Sequence, residues 1–337
     1  MSDQDAGLPQ LIETVFGRWK SQIIYLGVKL GIFDALEDGP ASSADLARML
    51  TLDPANTERL IGALASLSLL HRDRGVYRLS DQGRFLCAGS VPSLRSMVLL
   101  EEGMVHYSIW RHLEEIIRTG TGTGFELEFG TPIWRYLQEN QDYSNIFHAA
   151  MSSYSTTEAG AIAAALKLEA LAPGTRICDV GGGDGVLLQS VLKRFADSNG
   201  ILFDLPETVA TAKDRGDSPE SDRLVRVGGN MFESVPEADV YFLKHILHDW
   251  NDEECRDILT TIRRASAPNA RVVVCEFVLP EEPRATFASL IDIHMMCVST
   301  GRQRRFSELK DLLASTGWNH ADITDVEGTP IQIVIAG

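Results

Sequence analysis

Apolar positions recur at helical spacing near the N-terminus, at Leu11, Ile12, Val15, Phe16 and Trp19 and again at Ile23, Ile24, Leu26, Val28 and Leu30. Residues 11–37 are therefore expected to be helical, with Gly27 and Gly31 leaving room for close packing. Helices this apolar need a partner. Ser42 to Asp45 can cap a short helix through Leu50, and Pro54 sits near the start of another that carries Leu60, Ile61, Leu64 and Leu67. Val76–Leu79 follows as a short strand, which completes a winged-helix order. From Val98 to Leu171 the pattern stays helical, broken at residues 119–124 by alternating threonine and glycine that read as a flexible loop.

The remainder alternates strands and helices. Apolar runs end at Val180 and Phe203, Leu224–Val227 and Asp239–Leu243 read as short strands, and Asp252–Ala267 reads as a helix. Arg271–Cys275 is a continuous apolar strand of the kind buried on both faces. This order predicts a doubly wound α/β fold with a parallel sheet. The last two strands, Ile323–Val326 and Ile331–Ile335, are joined by Glu327 to Pro330 alone. So short a link permits an antiparallel hairpin and cannot hold a parallel crossover, so the last strand should run in reverse.

The length of 337 residues suggests two domains, and the composition is that of a soluble globular protein. Apolar runs fall short of a membrane span, and the start MSDQDAGLPQ lacks the basic-then-apolar pattern of a signal peptide, so the cytoplasm is the expected location. Cys87, Cys178, Cys255, Cys275 and Cys297 are odd in number and far apart, and read as core thiols rather than disulfides or a zinc site. The net charge of −16 argues against partners bound by neutralising phosphates, whether nucleic acid or an anionic membrane. A winged helix invites a DNA-binding reading, but the second helix, Pro54 to Leu69, offers Arg59 as its one basic residue. A dimerisation scaffold fits better.

The candidate chemistry begins where the strand through Asp179 and Val180 runs into Gly181, Gly182, Gly183 and Gly185. Such a turn lets backbone N–H groups approach a ligand. It is not the dinucleotide fingerprint, because position 186 is Val. Asp179 and Asp184 flank the turn with negative charge that suits an amino group or a sulfonium better than a phosphate, and S-adenosylmethionine has both. Asp204, at the end of the next strand, can bind both ribose hydroxyls of an adenosine. NAD would ask for the same acid; the reversed last strand counts against it.

The segments DVGGGDG, ILFDLP, RVGGNMFESVPEADVYFLKHILHDWNDEEC and CEFVLP together resemble the S-adenosylmethionine-dependent O-methyltransferases that methylate small, mostly aromatic hydroxyls. The resemblance covers nearly the whole chain. It implies a Rossmann-like methyltransferase sheet with a reversed last strand, preceded by a winged-helix-like dimerisation domain and hence a homodimer. Residues 1–97 would be that domain, 98–170 a helical linker and substrate lid, and 171–337 the catalytic domain. It also implies cofactor contacts at Ser155, Gly181, Gly183, Asp204, Leu205, Asn230, Met231, Phe232 and Lys244. Substrate would meet Phe147, Met151, Asp292, Met296 and Gln303. Gln303 stands where the family usually has a second glutamate, and Asn230 where it usually has aspartate while keeping an acceptor for the adenine amino group.

His248 is the candidate general base, placed just past the carboxyl edge of the sheet, with Glu276 at the end of the next strand to accept its imidazole N–H. His245 and His248, three apart, could share a helical face and suggest a metal pair, but the acidic residues beside them read equally well as a helix start and no metal is expected. Phe147, Met151 and Tyr154 at helical spacing are as such more often core than pocket; the resemblance favours pocket. WKSQ and GFELEFG resemble bacterial phenazine methyltransferases in particular. The competing readings are a ligand-binding protein that lost catalysis and, more remotely, an NAD-dependent oxidoreductase.

Overall fold

A computed structural model describes residues 3–168, 171–212 and 220–337. Residue 170, the expected boundary of the catalytic domain, lies outside the described residues. The chain divides into two compact units, one of Met1–Ser108 with Asp142–Ser153, the other of Ile109–Gln141 with Tyr154–Gly337.

In the first unit the N-terminal helical stretch is three pieces, Asp3–Val15, Gly17–Lys29 and Ile32–Ala35, the last break falling at Gly31 with a left-handed φ of 77°. At Gly27 a Cβ would come within 2.8 Å of the Phe33 ring, so the close packing expected there is real. Strand β1 (Ala41–Ser42) leads into the helix Ser43–Met49, capped by the Ser42 hydroxyl accepting the Asp45 N–H at 3.1 Å. The helix Pro54–Ser66 starts on Asp53, whose carboxylate accepts the Asn56 N–H at 2.9 Å. Strands β2 (Leu70–Asp73) and β3 (Val76–Leu79) then close a three-stranded antiparallel sheet in the order β1-β3-β2. Val28, Ile32, Phe33, Leu46, Ile61 and Leu64 form its core, while Leu8, Leu11, Val15 and Trp19 stand exposed along the first two helices.

The second unit is built on seven strands: β4 (Arg176–Val180), β5 (Asn199–Asp204), β6 (Leu224–Gly228), β7 (Val240–Lys244), β8 (Arg271–Glu276), β9 (Asp322–Asp325) and β10 (Gln332–Ala336). Their order is β6-β5-β4-β7-β8-β10-β9, parallel from β6 to β8, with β10 antiparallel to both β8 and β9. The reversed last strand and the terminal hairpin are as expected. Alternation along β8 sends Val272 and Val274 to one layer and Val273 and Cys275 to the other, all fully buried. Helix Asp252–Ala265 covers the first layer through Ile258, Leu259 and Ile262; helix Val186–Arg194 covers the second through Leu187, Leu188 and Val191. All five cysteines are buried and free, as core thiols should be. Among the described residues no helix is long and apolar enough to cross a membrane.

Candidate active site

Parallel strands place their C-terminal ends at one edge, and β4, β5, β7 and β8 deliver Asp179, Asp204, Lys244 and Glu276 there. The turn after β4 needs glycine. Gly181 and Gly183 have left-handed φ of 70° and 55°, and a Cβ on Gly181 would come within 2.4 Å of Ile246. Asp204 is tied into the turn, Oδ2 accepting the Gly183 N–H at 2.9 Å and Oδ1 the Leu205 N–H at 2.7 Å. Asp179 is buried, and its Oδ2 meets no hydrogen-bond partner. Burial, opposed by Lys244 and reinforced by Asp204, pushes its carboxyl up to about 7. A buried carboxylate oxygen without a partner beside a glycine turn suits the ammonium of an amino-acid ligand. The carboxylates of Asp179 and Asp204 and the ammonium of Lys244, gathered at this edge, fit the charges of S-adenosylmethionine.

Lys244 reaches Ser155 Oγ at 3.2 Å and Glu158 Oε2 at 3.0 Å. Glu158 was not foreseen. Burial opposes its ionisation, but the hydrogen bonds and charges of His245 and Lys244 outweigh that and hold it below the usual carboxylate range. After β6, Asn230 spends its side chain on its own turn: Oδ1 accepts the Phe232 N–H at 3.1 Å and Nδ2 donates to Glu233 at 3.1 Å. Met231 and Phe232 are half-buried against the core, and Phe232 meets Trp250 edge to face at 4.8 Å. Trp250 in turn stacks on Trp134 at 5.4 Å.

His248 lies in a single helical turn, Leu247–Asp249. Its Nδ1 is 2.8 Å from the Gln303 side-chain amide and 3.5 Å from Glu276 Oε2, and its Nε2 is 3.6 Å from Asp249 Oδ1. Glu276 was expected to accept the imidazole N–H outright. Instead Oε1 accepts the backbone N–H groups of Ile246 (3.2 Å) and His248 (3.3 Å), while Oε2 stands off the ring. As placed, the Gln303 amide N–H donates to Nδ1, which leaves the ring proton on Nε2; the flipped amide, presenting Oε1 to Nδ1, fixes the tautomer whose Nε2 is free to take a proton. Burial pushes His248 down to about 4, Glu276 opposing and His245, Lys244 and Arg304 adding to it.

The loop holding His248 is clamped. Arg304, buried, donates to the carbonyls of Leu247 (2.7 Å) and Trp250 (2.9 Å) and grips Asp252 Oδ1 from Nη2 (2.7 Å) and Nε (2.9 Å). Asp292 Oδ1 accepts the Gln303 N–H at 2.8 Å, so it braces that segment. Its helix neighbours divide as spacing alone did not predict: Met295 and Cys297 are buried, Met296 is half-buried. The helical-face reading of the two histidines is overturned. His245 precedes the turn in a left-handed conformation, φ 54°, and its ring stacks on His248 at 5.3 Å and 23°. His245, His248 and Glu276 offer three ligand atoms that lie within 4.8 Å of one another. Phe147 and Met151 lie half-buried, one turn apart, on the part of the helix Gln141–Ala165 that belongs to the first unit.

Residues 110–319 match the model of the O-methyltransferase domain and residues 12–89 that of the O-methyltransferase dimerisation domain. The chain belongs to this O-methyltransferase family. It is 30% identical over 311 residues to the phenazine O-methyltransferase PhzM of Lysobacter antibioticus, spanning 91% of this chain and 90% of that one. The crystal structure of LaPhzM matches with a TM-score of 0.91 at 30% identity, over 97% of this chain and 98% of the other. Human N-acetylserotonin methyltransferase, solved with S-adenosylmethionine, matches with a TM-score of 0.89 at 26% identity, over 100% and 99%. The protein is thus an S-adenosylmethionine-dependent O-methyltransferase, and the nicotinamide reading falls away. Glu158, Trp250 and Arg304 escaped sequence reasoning; Trp250 lay inside HDWNDEEC, where its side chain carried no distinguishing charge.

Proposed function

We propose that this O-methyltransferase methylates a hydroxyl on a flat, acidic aromatic such as a hydroxyphenazine or N-hydroxyphenazine, with His248 as general base. The observation that carries the reading is the imidazole, its side chain 12% exposed, whose Nδ1 faces Gln303 and Glu276 while Nε2, 3.6 Å from Asp249, would serve a substrate hydroxyl. Bound at the strand ends, S-adenosylmethionine supplies the electrophilic methyl group. Asp204 would hold the ribose, Lys244 with Ser155 the carboxylate end, Gly181 and Gly183 the backbone approach, and Leu205, Asn230, Met231 and Phe232 the adenine. Asp292, Met296 and Gln303 would frame the substrate. His248 Nε2 takes the hydroxyl proton as the oxygen becomes nucleophilic, and Glu276 and Gln303 steady the charge and the ring.

The acidic-substrate reading rests on the weakness of the base. A histidine pushed down to about 4 removes protons poorly from ordinary phenols, and Gln303 adds no charge to strengthen it. No metal takes part in this scheme. The exposed apolar row from Leu8 to Trp19 supports a homodimer through the N-terminal helices, and the enzyme would work in the cytoplasm, with neither nucleic acid nor membrane as a partner. The deciding experiment is labelled S-adenosylmethionine with hydroxylated phenazines, anthraquinones and flavonoids. Label appearing on phenazines and other acidic hydroxyls supports the reading; turnover confined to unactivated phenols, or to amines, refutes it.

A further inference from the structure

His248 does not have Glu276 to itself. With Oε1 taken by two backbone N–H groups, Oε2 is left between two imidazoles, 3.5 Å from His248 Nδ1 and 3.9 Å from His245 Nδ1. Both Oε2 and His245 Nδ1 are buried and meet no partner at hydrogen-bonding distance. His245 is held for this place. Its left-handed backbone turns the ring back over the strand end, Phe277 stacks on one side at 4.7 Å and His248 on the other at 5.3 Å, and Glu158 Oε2 anchors Nε2 at 3.3 Å.

We propose that His245 is a positioning residue for proton removal: anchored by Glu158, it shares the free oxygen of Glu276 with His248 and sets how much of that carboxylate's charge His248 receives. An N–H on His245 Nδ1 draws Oε2 away from His248, and a positive charge shared over that ring disfavours a second one stacked on it. The other groups facing His248 are Lys244 from β7, Arg304 and Gln303 from the segment after residue 300, and Asp249 from its own turn. Lys244 and Arg304 push His248 the same way as His245 does, and Glu276 pushes back. The result is a base kept weak, matched to a hydroxyl that needs little help.

The inference rests on His248 being the base, so the test carries both. Wild type, His245→Asn, His245→Phe and His248→Gln are compared in kcat/KM over about pH 4–9, with S-adenosylhomocysteine affinity measured alongside. Asparagine tolerates a left-handed backbone and phenylalanine keeps the stack, so either variant serves if the other fails to fold. Without His245 the imidazole of His248 holds its proton more tightly, so the acid limb should move up by about one pH unit while cofactor affinity stays within a few-fold. A limb that stays put, including a loss of rate that is equal at every pH, overturns the proposal. If His248→Gln keeps the wild-type limb, the base assignment fails and this proposal with it; if that limb vanishes in His248→Gln yet is unmoved in the His245 variants, the sharing of Glu276 alone is refuted.

Discussion

Replacing His248 by alanine tests the weight of proton removal against the acidity of the substrate. The ring is pushed from 6.5 down to about 4, whereas an ordinary phenol resembles tyrosine at about 10. Complete proton transfer between them is uphill by roughly 6 pH units, about 8 kcal/mol at 1.36 kcal/mol per unit. General base catalysis commonly contributes about 10²–10⁴-fold, and a base this weak belongs at the lower end, so His248→Ala should slow methylation of such a phenol about 10²-fold. For a hydroxyl acidified to about 6 the gap shrinks to roughly 2 units, about 3 kcal/mol, and above neutral pH the substrate arrives ionised. The same substitution should then cost less than about tenfold, since proximity carries the rate. Because His248 is deprotonated above its depressed value, kcat/KM should be flat on its account down to about pH 5 and fall below that. The assay is a pH–rate profile of both proteins on two hydroxyls of different acidity, with cofactor affinity as the control. Equal losses on both substrates at every pH would mean that His248 shapes the pocket without taking the proton.

Asp204→Ala removes a charged acceptor at the end of β5 and should weaken S-adenosylhomocysteine binding by about 1.5–3 kcal/mol in calorimetry; tight binding of NAD would contradict the cofactor assignment. An ammonium beside Asp179 favours its ionised form, so affinity for S-adenosylhomocysteine should rise with pH as that carboxyl, pushed up to about 7, loses its proton, and Asp179→Asn should flatten the dependence. Gly301→Ala would place a Cβ 1.9 Å from the His248 carbonyl oxygen; the loop must shift, and kcat should drop about 10²-fold with cofactor affinity nearly intact. Trp19→Glu, at a side chain 57% exposed on the apolar N-terminal row, should convert a dimer to monomer in sedimentation, and a wild-type monomer at micromolar concentration would sink the scaffold reading.

The sequence by itself determined the elements whose signals are local. The helix cap at Ser42, the helix start at Pro54, the glycine turn after β4, the apolar strand β8 and the short link between β9 and β10 follow from periodicity, capping chemistry and chain reach, so the parallel sheet with its reversed last strand was legible. So was the edge where the chemistry gathers, because strand ends of a parallel sheet share a side. Tertiary structure decided how charge is distributed there. Glu158 sits on a helix far along the chain from Lys244 and His245, and Arg304 binds loop carbonyls that no sequence pattern marks. The helical spacing of His245 and His248 pointed to one face of a helix; a left-handed residue turned them into a stack instead. Glu276 read as the histidine's partner, but backbone N–H groups hold one of its oxygens and two rings face the other. Hydrogen-bond allocation and burial depend on which groups meet in space, and at this site they set the charge that surrounds His248.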